Sequence, residues 1–114
     1  MIETAAATCR HGFTSRNNSE FEQGDDDFHI GVATGSHNFF LVSAVREVRM
    51  LQRQASVIGV HGVGGHAEAA VNEHEAIYRA IRDGEPEAAA HATALHLDNT
   101  LEDYRREIQR RVFG

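Results

Sequence analysis

The sequence predicts an all-α protein, an antiparallel bundle of about five helices, and three observations predict it. Proline occurs once in 114 residues. β-Branched runs are short, while Ala, Glu, Arg, Leu and Gln weight the composition towards helix. Apolar residues recur at three- and four-residue intervals through most of the chain, the period of a helix with one buried face.

The elements follow in order. An opening helix is expected from about Ile2 to His11, and residues 12–18 read as a turn. Ser19 and Glu22 have capping-box spacing for a second helix that runs through DDDFHIGVAT to Gly35. Gly24 lies inside it and costs about 1 kcal/mol relative to alanine. Asn38 or Ser36 caps a third helix through Ser56, with Leu41, Val45, Val48 and Leu51 or Gln52 as its core stripe and Arg46, Arg49 and Arg53 on another face. The run VIGVHGVGG holds four glycines and reads as a flexible loop. A fourth helix, about His66 to Asp83, aligns Ala70, His74, Ile77 and Ile81, and Gly84 suits a left-handed cap at its end. Pro86 then takes the first position of a last helix to about Val112, whose expected buried side is Leu97, Leu101, Tyr104 and Ile108.

Size and charge bound the function. A chain of 114 residues and 12.6 kDa fits one domain, able to bury roughly 65% of its unfolded surface. No apolar run approaches the roughly 20 residues of a spanning helix, and the first residues show no secretory signal. The net charge is −6, and all eleven basic residues are arginines without a cluster, which argues against a grip on nucleic acid by this chain alone. A single cysteine, Cys9, excludes an intrachain disulfide and favours the reducing cytoplasm. It reads as a small core residue.

Eight histidines are the unusual count. Asp25 and His29 are four apart and project from one helix face. His74 interrupts an apolar stripe, where a neutral ring needs a partner, and His96 stands between Leu95 and Leu97 on the last helix. One carboxylate and three imidazoles from three helices suit a borderline divalent ion, Zn²⁺ or Ni²⁺ first and Mn²⁺ or Fe²⁺ next. Four protein ligands leave positions for water or a bidentate acid. Each histidine read singly is equally an ordinary core residue with a hydrogen-bond partner, and Asp25–His29 an ordinary surface pair. His11, His37, His61, His66 and His91 fall in turns, the glycine run or an outer face, and read as structural.

The segments DDDFHIGVATGSHNFFLVSAVREVRML and NEHEAIYRAIRDGEPEAAAHATALHLDNTL resemble the FCD domain, the effector-sensing part of FadR-type GntR bacterial transcription regulators. Asp25, Phe28 and His29 match its first motif. Glu73, His74, Ile77, Ala80, Ile81 and Gly84 match the second, and His96-Leu97 the third, so that the resemblance spans about residues 20–104. It implies an FCD-like bundle around a metal held by Asp25, His29, His74 and His96, with a small organic acid beside the ion that alters a DNA-binding part. Residues 1–114 are then one FCD-like domain, shortened at its N-terminus. Nothing in them resembles a winged helix, and the stretch before Asp25 looks short by a helix. The family's Gly-Asn turn is altered to Gly35-Ser36-His37-Asn38, and Glu85 stands where an aspartate cap is usual.

Arg49 and Arg53 could meet an effector carboxylate bidentately, or belong to a solvated face, as charged helix stripes usually do. Asn99, close to one turn beyond His96, is a further candidate contact or a plain surface residue. The expectation is a cytoplasmic, metal-dependent sensor of a small carboxylate, homodimeric because Phe39 and Phe40 cannot both face one core, with no direct nucleic-acid or membrane binding. The alternatives are a degenerate remnant that only dimerises and a metal-dependent hydrolase. The hydrolase needs a general base, for which Glu73 is the one candidate, and its place beside His74 directs it elsewhere on the helix.

Overall fold

A computed structural model describes residues 2–55 and 65–114. All its elements are helices: α1 (Ile2–Thr14), α2 (Asn18–Thr34), α3 (Phe39–Ala55), α4 (Gly65–Arg82) and α5 (Pro86–Phe113). The all-α prediction holds, with five helices. The glycine run expected as a flexible loop, with His61 in it, lies outside the described residues except for Gly65, which opens α4, and the side chain of His66 lies outside them too. The chain divides into two compact units, Met1–Val57 and Ile58–Gly114.

The first unit is built on the α1–α2 hairpin. Its helices approach so closely that glycine is obligatory at the crossing. A Cβ on Gly24 would stand 2.5 Å from the backbone nitrogen of Cys9 and 2.8 Å from its Cα. A Cβ on Gly12 would likewise meet the backbone of Phe21. Glycine here serves packing, and for that reason α1 runs on past His11, its expected end, to Thr14. Ala5, Ala6 and Cys9 of α1 and Phe21 and Phe28 of α2 are buried around this contact. The N-cap of α2 is Asn17, whose side chain accepts from the Glu20 N–H at 3.1 Å. The Ser19/Glu22 capping box is not formed, because α2 already begins at Asn18 behind the Asn17 cap and Ser19 lies inside the helix. Asn38 caps α3 by accepting from the Leu41 N–H.

The expected core stripe of α3 is corrected. Leu41, Val48 and Leu51 are exposed and Val45 only half-buried, whereas Arg49 is 8% exposed. Helical period reveals a face but not what it meets. In this unit α3 meets the acidic residues of α2, so Arg49 and Arg53 turn inward while Arg46 stays exposed.

The second unit is the α4–α5 hairpin, joined by three residues. Gly84 adopts φ +68°, the left-handed cap expected of it, and Pro86 opens α5. The buried face of α4 is Ala67, Val71, His74, Ile77 and Ala80. That face is rotated from the expected stripe, so Ile81 is exposed. On α5 the correction is larger. Leu97, Leu101 and Ile108 are all more than half exposed and Tyr104 is half-buried. The inward side carries Ala89, Thr93 and Thr100 instead, small residues that let the helices close, with the buried His96 among them. Among the described residues, no helix is long and apolar enough to cross a membrane.

Candidate metal centre

In the first unit the predicted pair on α2 is formed. His29 Nε2 stands 3.3 Å from Asp25 Oδ1. Two ligands bound at 2.0–2.2 Å to one tetrahedral ion lie roughly 3.3–3.6 Å apart, so this pair has the spacing of neighbouring metal donors. Asp25 is 3% exposed, and its other oxygen, Oδ2, accepts from Arg49 Nη2. The two oxygens therefore have separate work: one faces the imidazole and the other a guanidinium.

Arg49 is fully engaged within the unit. Its Nε donates to Asp26 Oδ1 at 2.9 Å and its Nη1 to Gln52 Oε1 at 3.0 Å. Arg53 pairs with Asp26 at 2.6 Å and Glu22 at 3.1 Å. Burial lowers the Arg53 pKa, but the Asp26 hydrogen bond and the charges of Asp26, Glu22 and Asp25 more than offset it, and the guanidinium is held above its ordinary value. The solvated-face reading of these arginines is thus overturned for Arg49 and Arg53. The side chains missed from sequence are Glu22 and Asp26. The i, i+3/i+4 spacing of Glu22, Asp25 and Asp26 opposite that of Arg49 and Arg53 is the signal that would have found them.

In the second unit His74 and His96 come together across the hairpin. Their ring centroids are 4.8 Å apart and the rings are inclined at 74°. Their ring nitrogens offer donors within 4.8 Å of each other. His74 is 0% and His96 4% exposed. His96 Nδ1 lies 2.6 Å from Glu73 Oε1, and Asn99 Nδ2 donates to Glu73 Oε2 at 2.7 Å. Adjacency to His74 does direct Glu73 away from that ring, as expected, but its target is the facing helix. Asn99, a candidate effector contact, is turned to this same carboxylate.

Among the other histidines, His11 pairs with Glu20 at 2.6 Å on the surface. His37 takes a positive φ in the α2–α3 turn, and His91 is exposed. None joins either cluster. Cys9 is buried, as read.

Both units bury polar side chains inside an all-helical fold, Asp25 in the first and His74 and His96 in the second. The FCD domain model matches residues 1–99, and the chain belongs to that family. The match begins at residue 1, whereas the motifs that carry the resemblance begin near residue 20. No curated protein and no solved structure matches the chain. The family is one of regulatory, effector-binding domains of GntR-type regulators rather than of catalysts.

Proposed function

We propose that this chain is the metal-dependent sensing domain of a GntR-type regulator. In this reading one divalent ion takes Asp25 and His29 from the first unit and His74 and His96 from the second. The observation that supports it is where the polarity sits: the buried residues of the two units include Asp25, His74 and His96 among the hydrocarbon. Burying such groups costs free energy, and an ion that uses them as ligands offsets the cost. One carboxylate and three imidazoles match Zn²⁺ or Ni²⁺ best and Mn²⁺ or Fe²⁺ next. The bound ion would supply a Lewis-acidic point for the carboxylate of a small organic acid. Arg49 and Arg53 would act by holding Asp25 and its neighbours in place, with effector contact a second use of the same guanidiniums.

Elemental analysis tests the ligand set. The chain should carry about one metal per protomer, and His74→Ala should lose it; unchanged metal content in His74→Ala overturns the proposal. Thermal shift against a panel of small organic acids, with and without chelator, then separates a sensor from a remnant, since only a sensor gains stability from an acid and only while metal is present. The DNA response belongs to a winged-helix partner domain in this reading, so a gel shift with this chain alone should show no specific complex.

Self-association of a cytoplasmic homodimer completes the reading. Phe39 and Phe40 are 77% and 83% exposed at the start of α3, a pair of rings that a second copy would cover. Sedimentation equilibrium should return twice the chain mass.

A further inference from the structure

Glu73 is the acidic residue that the ligand set leaves unused, and its surroundings give it a definite task. It sits on α4 next to His74, yet its carboxylate reaches across the hairpin to α5. Both oxygens are committed there: Oε1 lies 2.6 Å from His96 Nδ1, and Oε2 accepts from Asn99 Nδ2 at 2.7 Å. Asn99 follows His96 by three residues, so both project from one face of α5. The three side chains form a short line of hydrogen bonds that ends on a ring which is itself 4% exposed.

A carboxylate can only accept, so the proton of a neutral His96 must stand on Nδ1. The lone pair is then on Nε2, the nitrogen on the far side of the ring from Glu73. A metal-ligating histidine characteristically gives its other N–H to a carboxylate or carbonyl, which sets the tautomer, aims the ring and raises its basicity. We propose that Glu73, steadied by Asn99, is the positioning residue that fixes His96 as its Nδ1–H tautomer and presents Nε2 as the metal-donating atom. This inference rests on the metal reading above. It assigns the acid a positioning role in place of the general-base role that a hydrolase at this site would ask of it.

The test has two arms on the full chain. Long-range ¹H–¹⁵N correlation on zinc-free protein reads the His96 tautomer directly. Competition with a chromophoric chelator reads zinc affinity. Wild type should show a protonated Nδ1 and a bare Nε2. Glu73→Ala should lose that tautomer preference and bind zinc roughly ten- to a hundredfold more weakly. Glu73→Gln, nearly isosteric and able to accept from Nδ1–H once the Asn99 amide flips, should keep the tautomer and lose less, which distinguishes positioning from a folding defect. A wild-type ring protonated on Nε2 overturns the inference. So does a Glu73→Ala chain that binds zinc within twofold of wild type with its tautomer unchanged. A wild-type chain with the expected tautomer that takes up no zinc sinks the metal reading itself, and the presenting role with it.

Discussion

The two units bury different things. The first closes on backbone, with α1 and α2 in contact at Gly12 and Gly24, Phe21 and Phe28 filling the flanks, and ion pairs from Arg49 and Arg53 tying α3 to α2. The second has a thinner apolar face, Ala67, Val71, Ile77 and Ala80, interrupted by two histidines packed edge to face. One unit is held by contacts that need nothing further. The other keeps polar rings at its centre, so its stability should depend more on what those rings bind.

The largest expected break lies in the charged contact of the first unit. Arg49→Ala leaves the buried Asp25 carboxylate without its guanidinium and should cost about 3–5 kcal/mol in urea unfolding. The pair Arg49→Met with Asp25→Asn, which removes the charge along with its partner, should recover most of that loss. Equal instability of the double variant would show that packing, not charge, holds α3.

The same substitution at two glycines separates the units next. Gly24→Ala puts a methyl group into the Cys9 backbone and should cost about 3 kcal/mol, the upper range of overpacking. Gly84→Ala meets nothing within 4 Å and bears only its positive φ, so about 1–2 kcal/mol is expected. Thermal unfolding of the two variants checks the ranking. Equal costs would mean that the helices of the first hairpin can move apart without penalty.

Metal sharpens the contrast further. At a free zinc concentration a hundred times the dissociation constant, the proposed binding would add about 2.7 kcal/mol to the folded state. Hydrogen exchange should show added protection in α4 and α5 around His74 and His96, and around Asp25 and His29 on α2, with less change in α1. Protection confined to α4 and α5 would mean that the first unit donates nothing to the ion.

How far the sequence could be read follows the same divide between local and non-local physics. Gly84 and Pro86 announce a helix end and a helix start by backbone rules that act within a few residues, and both stand where expected. Asp25 with His29 is one turn of one helix, and it too is formed. The faces of α3 and α5 depart from the predicted ones because periodicity sorts residues into stripes without saying which stripe meets a neighbour. Opposite Glu22, Asp25 and Asp26, an arginine face wins over a leucine face. Close to α4, Ala89 and Thr93 win over Leu97 and Leu101, since small side chains let the backbones approach. Along the helix the neighbour of Glu73 is His74, whereas its partners come from the register of the hairpin, which sets His96 and Asn99 across from it.

The smallest effect is expected where exposure is greatest. Phe40 at 83% exposed can gain little from a fold that leaves it in water, so Phe40→Ser should change the stability of an isolated protomer by less than about 0.5 kcal/mol. The same change should weaken self-association, because a ring covered by a second copy gives up apolar area that serine cannot replace. Unfolding at dilute protein and sedimentation at high protein read the two effects separately. A loss above about 1.5 kcal/mol in the dilute measurement would place the ring in the fold of a single chain, whereas unaltered association would remove Phe40 from the dimer face and leave the leucines of α5 as the apolar surface to examine.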